Sequence, residues 1–171
     1  MNKYRTIGPR FWAGFIDGLV FLPITLFDDY LSSPKRGLIV LVLWAIISYS
    51  AFWLYSVSLH ARYGQTLGKR AMHVKVLDVS EERIPSIRQA LLRDSGYIIL
   101  NLGSLIYFLH LAVTGKYTGT EQFSSSVAGR TLVFAGLAWF LLEIGTAFIN
   151  SKRRAVHDLI AKTVVVQVSD S

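Results

Sequence analysis

Two carboxylates sit inside apolar runs. Asp17 lies in RFWAGFIDGLVFLPITLF, residues 10–27, and Glu143 in TLVFAGLAWFLLEIGTAFIN, residues 131–150. A central Asp costs a membrane helix roughly 2.5 to 3.5 kcal/mol on insertion scales, so such a residue faces other helices or water, not lipid. Desolvated carboxylates take up protons near neutral pH, and two close together hold one more firmly. The same oxygens accept a monovalent cation once the proton leaves. Counting inward from the flanking polar ends at 1.5 Å per residue puts Asp17 and Glu143 each about 10 Å deep. Asn101 and Ser104, in residues 96–113, enter from the same side to a comparable depth, as Ser48 and Ser50 do from residues 37–59. Asp17, Glu143, Asn101 and Ser104 are therefore the candidate ion- or proton-binding set. The structural alternative is an Asp17 paired with Arg10, which shares its helical face, or hydrogen-bonded across helices.

The elements that would position this set follow from composition. Of 171 residues 52% are hydrophobic and mean hydropathy is +0.42, which is high for a soluble globule. Residues 11–27, 37–59, 96–113 and 131–150 are each long and apolar enough to span a bilayer. The expected fold is an all-α membrane protein, one domain over residues 1–171 built as a four-span transmembrane helix bundle. Fourteen Lys and Arg fall in residues 1–10, 60–95 and 151–171, against four in the other connections. The positive-inside rule then places both termini, the 60–95 loop and the 151–171 tail in the cytoplasm. The first run keeps Asp17 and Pro23 and lacks a small-x-small cleavage site, so it reads as a retained anchor.

A small cytoplasmic cap is expected beneath the bundle. Residues 71–78 (AMHVKVLD) alternate as a strand does, and the β-branched TVVVQV of 163–168 is the expected partner in a two-stranded ribbon. Residues 86–95 (SIRQALLRDS) read as an amphipathic interfacial helix leading into the third span. Gly14 and Gly18 form a small-xxx-small pair suited to close helix approach. Pro23 should kink the first span. Residues 114–129, rich in Gly, Ser and Thr, read as a mobile external loop.

Other chemistries find little support. The chain has no cysteine, and His60, His73, His110 and His157 lack the ligand spacing of zinc sites, so no metal site is expected. His110 alone is placed to titrate along a pathway through the bundle. No nucleophile elbow, phosphate-binding loop or metalloprotease motif is present, and neither enzymatic activity nor a cofactor is expected. The GQTLGKR stretch, residues 64–70, has the wrong spacing for a phosphate loop; it reads as a turn whose Lys69 and Arg70 meet anionic lipid headgroups. The net charge of +7 is accounted for by basic cytoplasmic loops, and no nucleic-acid partner is expected.

Three separated stretches share one pattern. RFWAGFIDGLVF, GQTLGKRAMHVKVLD and HDLIAKTVVV together resemble the RDD family of small bacterial membrane proteins, in the right order and over most of the chain. The residues that fit the arginine and two aspartates of the family name are Arg10, Asp17 and Asp158; the loop pattern maps to Gly64, Thr66, Gly68, Lys69 and Arg70. Glu143 stands outside the shared pattern. The resemblance implies a multi-pass protein of the bacterial cytoplasmic (inner) membrane, in a family of which some members are associated with exchange of sodium or potassium for protons. Asp158 is expected to cap a turn or reach Arg10 and fasten the tail under the first span. The leading functional expectation is exchange of Na+, Li+ or K+ for H+ through Asp17, with Glu143 as its partner. Four helices are few for alternating access, so a transporter of this size is expected to be a homo-oligomer. The alternative is a non-transporting adaptor or scaffold that docks lipid or a protein through its basic cytoplasmic face.

Overall fold

The computed structural model describes residues 3–168; the last three residues of the tail expected over 151–171, and the first two of the chain, lie outside the described residues. The chain opens with α1 (Ile7–Val20) and α2 (Leu22–Leu31), bent by 45° at Phe21. The cause is Pro23, which has no N–H for the carbonyl one turn earlier, so the break falls just before it. The Phe21 N–H turns instead to the Gly18 carbonyl at 3.0 Å. A 3-10 turn (Pro34–Arg36) leads to α3 (Leu38–Tyr63), then α4 (Leu67–Ala71) and β1 (Val74–Asp78). The second half runs α5 (Ile87–Val113), α6 (Thr120–Ser125), α7 (Val127–Ile149), α8 (Val156–Ile160) and β2 (Thr163–Gln167).

Three helices, α3, α5 and α7, are long and apolar enough to cross a membrane, and the bent α1–α2 pair makes a fourth span if it crosses as one. The helix α3 packs along α5, and α7 also packs against α5. At that second contact Gly96 meets the Trp139 indole, where a Cβ would stand 2.3 Å from the ring. Large apolar side chains such as Ile39 (77% exposed) and Ile149 (86%) remain uncovered, as lipid-facing residues do.

The expected ribbon is present. Strands β1 and β2 pair antiparallel with Val76 opposite Val165. Alternation is seen only in β1, whereas Val164, Val165 and Val166 are all buried, so β2 is covered on both faces.

Three expectations change. Residues 86–95 are not a separate interfacial helix but the opening turns of α5, which starts under a Ser86–Gln89 capping box and runs unbroken to Val113. Gly14 and Gly18 contact no neighbour within 4 Å of an added Cβ, so they are not the helix-packing site. The 114–129 connection is folded: it holds α6, and Tyr117 is buried with Leu41, Ala45, Phe108 and Leu111. An aromatic ring offered to an apolar crevice outweighs the turn-forming composition around it.

Candidate functional site

The ribbon end of the bundle gathers most of the polar residues singled out from the sequence, and it does so through the 64–70 corner. Gly64 ends α3 in the left-handed conformation (φ 71°), its N–H bonded to the His60 carbonyl at 2.9 Å. Its own carbonyl accepts the Val76 N–H at 2.8 Å, joining the corner to β1. Thr66 then caps α4, accepting the Lys69 N–H at 3.3 Å. Gly68 lies against the buried side of α1, where a Cβ would stand 2.0 Å from the Ala13 carbonyl oxygen.

That approach encloses Asp17. Its Oδ1 accepts the Gly68 N–H at 2.8 Å and the Tyr55 hydroxyl at 2.7 Å, and its Oδ2 accepts the Thr66 hydroxyl at 2.6 Å. Tyr55 Oη in turn accepts the Leu67 N–H at 2.9 Å. Asp17 is 3% exposed, and each of its partners is tied to α4 or to the α3 face that packs on it. The carboxylate therefore pins the corner to α1.

Asp158 is a second pin. Fully buried in α8, it receives Arg10 on Oδ2 and Arg93 on Oδ1, with the Ala155 N–H at 3.0 Å and the Thr163 hydroxyl at 3.3 Å. Burial alone would raise its pKa, but Arg10 and Arg93 outweigh it and hold the carboxyl well below the usual range. Arg10 also donates to the Arg153 carbonyl at 3.0 Å, so the tail is fastened under α1 as expected. The arginine of the motif thus partners Asp158, not Asp17. Arg93, which sequence reasoning missed, is buried on the same face of α5 as Ala90 and Gly96; that three-residue spacing was its one signal.

Glu143 pairs with His157, Oε2 to Nδ1. Burial and the nearby Arg93 charge hold the His157 imidazole below its ordinary pKa, against the pull of Asp158 and Glu143. With the ring neutral, Nδ1–H donates to the carboxylate. Glu143 Oε1 and His157 Nε2 are buried without a hydrogen-bond partner. Close by, His60 Nδ1 lies 3.1 Å from Ser56 Oγ, while His60 Nε2 and Asp94 Oδ2 are buried and unpartnered. Lys69 is half-buried here; burial and Arg93 push its amine down to about 8, with Asp17 and Asp94 opposing. It faces this cluster, so of the Lys69–Arg70 pair expected at headgroups only Arg70 is exposed.

The expected four-residue ring does not form. No hydrogen bond joins Asp17 to Glu143, since each is held by a different layer, α4 for the first and α8 for the second. Asn101 donates to the Tyr97 carbonyl at 2.8 Å and lines a separate cavity among α2, α3 and α5. Ser104 is half-buried one turn further along α5. Counting along the sequence gives depth within a helix but not its rotation, and rotation separates these groups. Among the described residues no group of three or more His, Asp and Glu side chains is arranged to hold a metal ion.

Outside the bundle, Glu81 ties the N-terminal segment to the stretch after α7, binding Lys3 at 2.5 Å, Lys152 at 2.6 Å and the Tyr4 hydroxyl at 2.7 Å. Hydrogen bonds from Lys152, Lys3 and Tyr4 push its carboxyl down to about 2.

The model of a protein family described as the RDD family matches residues 4–162. No curated protein and no solved structure matches the chain.

Proposed function

The chain belongs to the RDD family of membrane proteins, and from that premise we propose that it exchanges a monovalent cation for protons, with the Glu143–His157 pair as its proton-handling element. One observation carries the reading. Asp17 and Asp158 are saturated by donors, whereas Glu143 Oε1 and His157 Nε2 are buried without a hydrogen-bond partner, His157 Nε2 lying 3.6 Å from Asp158 Oδ1. A proton on this pair can reside on the imidazole or the carboxylate, and a Na+, Li+ or K+ ion competes for the oxygens when it leaves. Asp17 then acts as the pin that positions α4, not as the carrier. In this reading the ribbon end faces the cytoplasm of a bacterial inner membrane, and the transporting unit is a homo-oligomer.

The test is flux in proteoliposomes. An imposed Na+, Li+ or K+ gradient should drive proton movement that Glu143→Gln abolishes while the protein keeps its size-exclusion profile. His157→Gln should shift the pH dependence of flux. Undiminished exchange in Glu143→Gln, or the absence of exchange with all three ions, overturns the reading.

A second reading is favoured by Arg62, Arg70, Arg83 and Arg88, all exposed near the ribbon end. It makes the protein an adaptor that docks anionic headgroups or an acidic partner. Charge reversal at Arg70 and Arg88 then removes binding to anionic vesicles, and Glu143→Gln does not.

A further inference from the structure

At the opposite end of the bundle from the ribbon, a cavity of about 410 Å³ lies among α2, α3, α5 and the α5–α7 connection. We propose that it binds a small organic ammonium ion, with Asp28 as the counter-charge and Trp44, Tyr49 and Tyr117 as its aromatic wall.

The charge balance is the first argument. Asp28 is the one formally charged side chain among the lining residues, and no Lys, Arg or His faces it from α2, α3, α5 or α6 within the cavity. Its Oδ1 accepts the Trp44 indole N–H at 2.8 Å. A carboxylate has about four acceptor positions, so that single bond orients it without saturating it. A carboxylate that no cation faces, half-buried in a chamber, selects a cation.

The wall decides which kind. Trp44, Tyr49, Phe108, Tyr117 and Phe123 present aromatic surface, and aromatic faces attract alkylammonium groups through their quadrupole. Oxygens from Thr25, Ser32, Ser48, Asn101 and Thr120 also line the chamber, but at about 410 Å³ it is far larger than one bare alkali ion and the close shell of oxygens such an ion draws in. The volume falls within the range of small-molecule sites.

An unmet polar group marks the same place. Ser48 Oγ is buried without a hydrogen-bond partner, and Ser48 and Tyr117 both line the cavity. Tyr117 is 7% exposed, with its ring edge-on to Phe108 at 4.7 Å between centroids. They can serve the hydroxyl or N–H of a bound amine or amino alcohol. This inference rests on the cavity alone and holds whether or not the protein exchanges ions.

Binding is measured by calorimetry and thermal unfolding on the full chain in lipid nanodiscs. The probes are choline, phenethylammonium and tetramethylammonium, with 3,3-dimethylbutan-1-ol as the neutral isostere of choline and sodium chloride at matched ionic strength. At least one ammonium probe should bind saturably and raise the Tm, with the neutral isostere weaker by about tenfold or more. Asp28→Asn keeps an oxygen for Trp44 and removes only the charge, so it should weaken binding by a similar factor. Ser48→Leu, which fills the chamber with apolar volume, should abolish binding without lowering the Tm, and reads the site even if Asp28→Asn fails to fold. Failure of all three ammonium probes, saturable binding of sodium without them, or full affinity in a folded Asp28→Asn or Ser48→Leu protein overturns the proposal.

Discussion

Arg10 and Asp158 act as one ion pair that fastens the tail, while Asp17 separately pins the 64–70 corner. Asp17 receives donors from Tyr55, Thr66 and Gly68, so replacing it by Asn turns an amide N–H₂ toward groups that also donate. Hydrogen bonds to a charged acceptor contribute about 1.5–3 kcal/mol each, so Asp17→Asn should cost about 2–4 kcal/mol, read as a lower denaturation midpoint in detergent. Unchanged stability would mean that the carboxylate is not a pin. Asp158→Asn leaves Arg93 buried without its anion, and a loss of about 3–5 kcal/mol is expected in the same assay. Glu81 is a surface case with a definite sign. Its folded pKa of about 2 lies below the ordinary 4.5, so the clamp on Lys3 and Lys152 stabilises fully above about pH 4.5 and is lost as pH falls toward 2. The Tm should therefore drop over that window in the wild type, and Glu81→Gln should remove that component of the fall.

At the scale of elements, the short helix α4 sets the spacing between α1 and the ribbon. Its contact with α1 is backbone on backbone at Ala13 and Gly68, which leaves no room for a methyl group. Gly68→Ala should detach α4 and expose Asp17, seen as a cost comparable to losing the carboxylate itself. Gly14→Ala is the control: it sits in the same region of α1 with nothing within 4 Å, and helix propensity favours Ala there by about 1 kcal/mol. If both substitutions behave alike in thermal unfolding, the contact is not what holds the corner. The bend at Phe21 and the unbroken α5 show the same rule from opposite sides. A helix stops where a hydrogen bond is removed, as at Pro23, and continues through an amphipathic-to-apolar change of composition when no bond is lost.

At the scale of the molecule, polar chemistry is split between two ends of one bundle: a layer of arginines, carboxylates and histidines by the ribbon, and an aromatic chamber around Asp28 at the other. The charge bias of the connections predicts that the ribbon faces the cytoplasm. Because the chain has no cysteine, single Lys162→Cys and Thr118→Cys variants, both at exposed positions, test this directly. An impermeant thiol reagent on intact spheroplasts should label Thr118→Cys and spare Lys162→Cys; the reverse pattern would invert the orientation. Apolar runs, the Pro23 bend and the ribbon were legible in the sequence because they depend on composition and on a period within one segment. The link from Arg10 to Asp158 was legible by another route, the motif resemblance. Arg93, His157, Tyr55 and Glu81 were not legible as site residues, since their roles depend on which helix face meets which neighbour. Sequence by itself determined that this is a membrane-helix protein with carboxylates in apolar surroundings. Only the tertiary structure decided which of those carboxylates are saturated and which still have capacity, because hydrogen-bond satisfaction is settled by groups far apart in the chain, and Asp17 takes its donors from Tyr55, Thr66 and Gly68.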